Sequence, residues 1–132
     1  MEFIAALATD DGKTFVDRHF GDARFYHLYT VGRDGAHFLK VVPNTAPEET
    51  GHADPRKAGG IARLLKTENV NVLATRIFGP NLKRVRKKFV CVILDCHAFS
   101  EGLDFLSANI DTIAAAWEQG EEREYLNQKT MT

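Results

Sequence analysis

The sequence has no apolar run long enough to form a transmembrane helix, and it has only two cysteines in 132 residues. A membrane-spanning helix needs about 20 consecutive apolar residues. The two cysteines, Cys91 and Cys96, are too few for the disulfide framework of a small secreted protein. The opening segment, residues 1–8, is shorter than a signal peptide and lacks a basic flank. We therefore expect a soluble cytoplasmic protein with reduced thiols and no membrane partner.

The chain also lacks an excess of charge of either sign. Seventeen lysines and arginines face 18 aspartates and glutamates, so the formal net charge is −1 and no global field attracts nucleic acid. A local basic run lies at residues 83–88, but no aromatic side chains accompany it as a stacking platform. A solvated helix face is the first interpretation of this run, and docking of an acidic partner or an anionic cofactor is the second. We expect no nucleic-acid partner.

Strand and helix patterns alternate along a chain of one domain's length. Apolar or β-branched runs predict strands at residues 3–9, 24–31, 36–42, 70–75 and 89–94. Helical spacing and caps predict helices over residues 55–68, over 81–88 and from Ser100 onward. The order predicts an α/β fold with an antiparallel opening and parallel crossovers behind it. Residues 1–120 form the predicted domain, and residues 121–132 a mobile tail or a short detached helix.

Polar residues follow three of the predicted strands. Ligands of open α/β sheets bind beyond the carboxyl ends of the parallel strands. The loops expected there contain Asp10 and Asp11, residues 76–79, and Cys96 with His97. We therefore expect these loops to converge at one edge of the sheet and to form the functional site.

An ordered set of short motifs spans most of the chain. It comprises Asp10-Asp11-Gly12 after the first strand, His19-Phe20-Gly21 before an aromatic strand, Gly51-His52 before the first helix, and Gly79-Pro80-Asn81 before the second. In order and spacing these motifs resemble the dinitrogenase iron-molybdenum cofactor biosynthesis family, which includes NifX-like domains and the C-terminal part of NifB. The resemblance covers residues 3–118.

The resemblance implies a ribonuclease H-like, three-layer α/β/α fold with a five-stranded mixed sheet. It also implies a non-catalytic protein that binds or carries the iron-molybdenum cofactor, its precursor, or a transiently held iron-sulfur cluster. Its partners would be nitrogenase cofactor assembly proteins or an apo-acceptor protein. The residues expected to bind the cofactor are His19, Gly21, Arg24, Gly79 and Asn81.

Four residues have the chemistry of metal ligands. His19 lies in a turn, where a neutral imidazole can bind iron or can instead bond the carbonyls of its own turn. His52 is a second candidate, with a solvated loop histidine as the alternative. Cys96 and His97 offer a thiolate and an imidazole, which suit iron or a cluster. Cys91 lies inside an apolar run and is expected in the core.

Three other functions are alternatives to the carrier hypothesis. A two-metal nuclease centred on Asp10 and Asp11 needs further carboxylates from neighbouring strands, which their interiors lack, so turn capping is the expected role of these aspartates. An enzyme could use His19 as a general acid or base with Asp17 or Asp22 as its orienting carboxylate, but no nucleophile or cofactor motif supports it. A metal-free interaction or regulatory module on the same fold is the remaining alternative.

Overall fold

A computed structural model describes residues 2–45 and 55–131 of the chain, with side chains in the first helix described from residue 60 onward. The strands are β1 (Glu2–Thr9), β2 (Phe25–Gly32), β3 (Gly35–Pro43), β4 (Val72–Thr75), β5 (Val90–Ile93) and β6 (Leu126–Asn127). The helices are α1 (Pro55–Thr67), α2 (Leu82–Val85), α3 (Phe99–Ala108) and α4 (Ile110–Glu118). Three short 3-10 turns complete the elements, at Phe20–Asp22, Gly120–Glu122 and Gln128–Thr130.

The strands form one mixed sheet in the order β3-β2-β1-β4-β5-β6. β1 pairs antiparallel with β2, and β2 with β3, so the predicted opening hairpin is confirmed. β1, β4, β5 and β6 run parallel to one another, which confirms the predicted mixed sheet. The carboxyl ends of four parallel strands therefore point toward the same edge.

Each face of the sheet is covered by its own pair of helices. Alternate residues of a strand point to opposite faces, and in β1 the side chains of Ala5 and Leu7 pack with α3 and α4. Those of Ala6 and Ala8 pack in the cluster that contains α1 and α2. The arrangement gives the predicted three layers, with two apolar cores separated by the sheet. No helix in the described part of the chain is both long enough and apolar enough to cross a membrane.

The predicted tail is wrong, and so is the strand count of five. Leu126 enters the core beside α3 and α4, and the two-residue β6 adds a sixth strand along β5, with Val92 opposite Leu126. A two-residue strand carries too little apolar pattern to be recognised in a polar segment. The division at residue 120 therefore cuts through a packed unit. The ribonuclease H-like assignment stays a prediction.

Two predicted helices also differ from the observed ones. The helix predicted from Ser100 onward is divided into two helices, α3 and α4, which are separated at Asn109. The φ of Asn109 is −112°, and its side-chain Nδ2 donates to the carbonyl of Phe105 at 2.8 Å. The basic helix predicted over residues 81–88 is a single turn, Leu82–Val85. After this turn, the backbone amides of residues 86–89 donate to the carbonyls of Leu82, Arg84 and Val85.

Arg123 fastens the C-terminal segment to the rest of the fold. It is 4% exposed, and its guanidinium donates to the carbonyls of Ala116 (3.1 Å), Trp117 (3.0 Å), Arg86 (3.2 Å) and Lys87 (3.0 Å). The Arg86 guanidinium donates in turn to the Arg123 carbonyl at 2.8 Å. Burial lowers the pKa of Arg123, although an arginine remains protonated in a folded protein. The carbonyl oxygens thus replace the water that the buried cation loses.

Candidate functional site

The loops that follow β1, β4 and β5 are joined to one another through their backbones. The Phe15 amide donates to the His97 carbonyl at 2.9 Å, and the Phe99 amide donates to the Lys13 carbonyl at 2.9 Å. The Phe20 amide donates to the Ile77 carbonyl at 2.8 Å. The expected convergence at the carboxyl edge is therefore confirmed, with the long β1–β2 loop bridging its two neighbours.

His19 is held at the centre of this edge by the loop after β4. Its backbone forms a parallel bridge with Ile77, and its half-buried ring lies directly over Gly79. A β-carbon added to Gly79 would fall 2.6 Å from His19 Nδ1 and 2.7 Å from Cε1. Gly79 also has a φ of +77°, which favours glycine. The two motifs that the sequence places 60 residues apart thus form one contact.

Ion pairs and a turn fix the segment before His19. Arg18 donates to both oxygens of Asp10, at 2.8 and 3.1 Å, and the Arg24 amide donates to Asp10 at 2.9 Å. The bond from Arg18 lowers the pKa of the Asp10 carboxyl. Asp11 accepts from the backbone amides of Lys13 and Thr14, each at 2.8 Å, and these bonds lower its pKa. Turn capping by Asp11 is confirmed, and Asp10 is an organising residue of the loop.

A second anchor, which the sequence analysis missed, lies on the other side of His19. Asn44 donates through Nδ2 to the carbonyls of Gly21 (2.9 Å) and Ala23 (2.8 Å). The buried Tyr26 hydroxyl donates to the Phe20 carbonyl at 2.9 Å. The expected binding residue Gly21 therefore presents its carbonyl to Asn44, while the Arg24 side chain is exposed at the rim. The only sequence signal for Asn44 is that it begins the polar stretch of sequence that follows β3.

The Asp17 carboxylate forms an ion pair with Arg76 from the loop after β4. This pair adds a third link between the loops that meet at His19. Asp22 contributes its backbone amide, which donates to the His19 carbonyl at 2.8 Å. The two aspartates weighed as catalytic partners of His19 thus make contacts that shape the loop.

The Gly79-Pro80-Asn81 segment forms a tight turn before the single-turn helix α2. The Leu82 amide donates to the Gly79 carbonyl at 3.2 Å, and the amides of Arg84 and Val85 donate to the Asn81 carbonyl. One helical turn supplies little of the macrodipole that favours anions at longer helices. The segment therefore serves chiefly to bring Gly79 beneath His19, and Asn81 lies half-buried beside it.

The two cysteines are core residues. Cys91 is fully buried, as predicted, and burial raises the pKa of its thiol to about 12. Cys96 is 6% exposed and packs in the core beside α3. Burial, followed by the charge of Glu101, raises the pKa of the Cys96 thiol. Because the thiolate is the form that binds metals, these surroundings disfavour Cys96 as a ligand.

The predicted metal ligands that lie in the described part of the chain, His19, Cys96 and His97, do not form a cluster. Within residues 2–45 and 55–131 there is no group of three or more histidine, cysteine, aspartate or glutamate side chains placed to hold a metal ion. His97 is exposed, and its backbone carbonyl pairs with Phe15. His52 lies outside the described residues. The described site therefore offers a single well-positioned imidazole, His19, with exposed polar groups around it.

The sequence matches a known protein family over most of its length. A model of the family described as "Dinitrogenase iron-molybdenum cofactor" matches residues 1–98. The chain belongs to this family. Membership implies a role in the biosynthesis or binding of the dinitrogenase iron-molybdenum cofactor, and it confirms the predicted resemblance. The match includes His19 and Gly79 and ends before α3.

The fold is also similar to a solved structure. The crystal structure of a candidate dinitrogenase from Methanocaldococcus jannaschii aligns with a TM-score of 0.60 and 17% identity, covering 83% of this chain and 91% of that one. At this identity the likeness concerns the fold alone. No curated protein matches the sequence.

Proposed function

We propose that this protein binds and carries an iron-molybdenum cofactor, its precursor or an iron-sulfur cluster, and that it does so without catalysing a reaction. The observation that supports the proposal best is the placement of His19 over Gly79 at the carboxyl edge of the sheet. Family membership supplies the class of cargo. Delivery would be to nitrogenase cofactor assembly proteins or an apo-acceptor protein, in the cytoplasm and on a ribonuclease H-like fold.

His19 is suited to bind an iron atom at the surface of a cluster. An imidazole is a good iron ligand when neutral. The backbone bridge to Ile77 and the contact with Gly79 fix where the ring lies before any cargo arrives. A preformed ligand loses less conformational freedom on binding. Attachment through few protein ligands also suits a carrier, because release then requires few bonds to break.

The surroundings of His19 offer an anionic cargo a mixture of charge and polarity. Arg18 and Arg76 are engaged by Asp10 and Asp17. The exposed Arg24 side chain is therefore the expected cationic contact from the loop. His97 and His52 remain candidates for a second ligand, whereas the buried Cys96 would first have to become exposed.

Anaerobic reconstitution tests this proposal. The purified chain is incubated with ferrous iron and sulfide, or with isolated iron-molybdenum cofactor, and bound metal is followed by absorption, EPR and iron analysis. His19→Ala is expected to lose most of the bound metal, whereas His37→Ala is the matched control because His37 is exposed on β3, away from the site. Equal retention by the wild-type chain and both variants would refute a ligand role for His19.

An exposed apolar stretch supports a second proposed function, that of a metal-free interaction or regulatory module. Phe38, Leu39 and Val41 on edge strand β3 are 54%, 46% and 42% exposed. Exposed apolar groups of this kind mark interaction surfaces. If the wild-type chain binds neither cluster type in the reconstitution, this second function takes precedence.

A further inference from the structure

Exposed lysines gather at the amino edge of the parallel strands, opposite the edge that holds His19. Lys66 lies in the last turn of α1, which leads into β4, and Lys87 and Lys88 shortly precede β5. All three side chains are exposed. The fold thus joins part of the basic run at residues 83–88 to a lysine from another helix. We call these three lysines the amino-edge basic surface.

Two aromatic rings hold the Lys66 ammonium in place. Its Nζ lies 5.0 Å from the centre of the buried Phe89 ring and 5.6 Å from the centre of the Trp117 ring. A cation at such a distance is attracted by the negative face of the ring. The Arg123 guanidinium lies 5.0 Å from the centre of the same Trp117 ring. Trp117 and Arg123 lie beyond residues 1–98, so part of this arrangement falls outside the family match.

The backbone that carries Lys87 and Lys88 is fixed by hydrogen bonds. The Arg123 guanidinium donates to the Lys87 carbonyl at 3.0 Å. The Lys88 amide donates to the Val85 carbonyl, also at 3.0 Å. A surface whose backbone is already ordered loses less conformational freedom when a partner binds.

The three lysines have no carboxylate partner among the described residues. Glu68, two residues from Lys66, is paired with Lys40 at 3.0 Å. The glutamates of the C-terminal segment are exposed and form no ion pair with these lysines: Glu118, Glu121, Glu122 and Glu124. Burial, and then the positive charges of Arg123 and Lys88, lower the pKa of Lys66. The surface therefore presents neighbouring cations that a negatively charged group would stabilise.

We propose that the amino-edge basic surface docks an acidic segment of a partner protein, whose carboxylates pair with Lys66, Lys87 and Lys88. The observations favour a protein over a nucleic acid. A base needs a free ring face for stacking, whereas the half-buried Trp117 ring already carries Lys66 and Arg123. A partner bound at the amino edge would leave the carboxyl edge open, so docking does not depend on the proposed cargo.

The test uses Trp117, the only tryptophan of the chain, as its reporter. The full chain is titrated at low ionic strength with a peptide of ten glutamates, and the fluorescence of Trp117 is followed. We expect a saturable change, with an affinity that falls as salt is added, because salt screens exposed charges. Lys66→Gln should weaken binding about fivefold, the upper end for an exposed ion pair. Lys66→Arg keeps the charge and should retain binding.

Lys13→Gln is the matched control, because Lys13 is an exposed lysine of the β1–β2 loop at the opposite edge. It should bind the peptide as the wild type does. The proposal is overturned if the peptide gives no saturable change, or if Lys13→Gln weakens binding as much as Lys66→Gln. It is also overturned if an oligothymidylate of ten nucleotides binds more tightly than the peptide, which would assign the surface to nucleic acid. The amide spectrum of each variant verifies that it is folded, and because no metal is present, failure here is separate from failure of the carrier proposal.

Discussion

Replacing Arg123 with methionine should destabilise the whole domain, although the residue lies in a polar C-terminal segment. Methionine keeps a long, flexible side chain that can fill the space. It removes the donor of four hydrogen bonds, to the carbonyls of Ala116, Trp117, Arg86 and Lys87. It also removes the guanidinium stacked 5.0 Å from the centre of the Trp117 ring.

The expected loss of unfolding free energy is the balance of two effects: four carbonyls lose their hydrogen-bond donor, and the buried guanidinium no longer has to be dehydrated on folding. A hydrogen bond from a charged donor contributes about 1.5–3 kcal/mol, and an unsatisfied buried acceptor costs about 1–3 kcal/mol. Four such bonds do not add fully, because the segment can relax and admit water to partly exposed residues such as Arg86 and Trp117. The guanidinium also regains hydration when the protein unfolds. We expect a net loss of about 3 kcal/mol, equivalent to a fall in Tm of about 10 °C for a domain of this size.

Urea unfolding followed by circular dichroism measures this loss, and amide hydrogen exchange reports whether residues 121–131 detach first. Arg63→Met is the control, since Arg63 is exposed on α1, and it should change stability by less than about 0.5 kcal/mol. The reasoning fails if Arg123→Met is as stable as this control.

Three smaller predictions concern Gly79, Asp11 and His27. Gly79→Ala should lower the free energy of unfolding in urea by about 1–3 kcal/mol and shift the NMR signals of the His19 imidazole, because the added β-carbon would collide with the ring. Gly120→Ala is the control: its φ is also positive, at +63°, but its surroundings are open, so the His19 signals should stay where they are. Asp11 has a lowered pKa, so the stability that it contributes is present above its ordinary value of 3.8 and is lost as the pH falls below it; Asp11→Asn should show a flatter acid unfolding profile. Burial lowers the pKa of His27, so the unfolded chain takes up a proton at this residue more readily than the folded protein as the pH falls below 6.5. The Tm should therefore fall with pH in that range, and His27→Phe should show a smaller fall when Tm is measured against pH.

Most of the sheet could be predicted from local patterns. β1, β2 and β3 are long and apolar or aromatic, and a Gly-Arg-Asp-Gly turn separates the last two. The site's location was also predictable, because parallel strands direct their following loops to one edge. The contact of His19 with Gly79 could not be derived from spacing, although the family resemblance placed both residues in the site.

The elements that escaped prediction depend on contacts of individual side chains that no apolar pattern reveals. β6 has two residues, and its place is fixed by pairing with β5, by the burial of Leu126 and by the bonds of Arg123. An arginine in a segment rich in glutamate gives no local sign that it is buried. At the break between α3 and α4, the Asn109 side chain donates to the Phe105 carbonyl, a bond that the helical spacing gives no sign of. The general rule that charged residues are exposed fails here, because backbone carbonyls can solvate a guanidinium.

The carrier proposal and the organisation of the edge support each other through the way the loop around His19 is fixed. Bonds between protein groups already hold this loop: Arg18 to Asp10, Arg76 to Asp17, and Asn44 to Gly21. In a structural metal site the ion itself would supply much of that order. Because these bonds join protein groups to one another, release of cargo need not break them or unfold the loop. A carrier that must load and unload needs this property, so the protein should stay folded, with an unchanged amide spectrum for the loop, after a chelator removes its bound metal, and its Tm should fall only by the amount that loss of ligand binding gives.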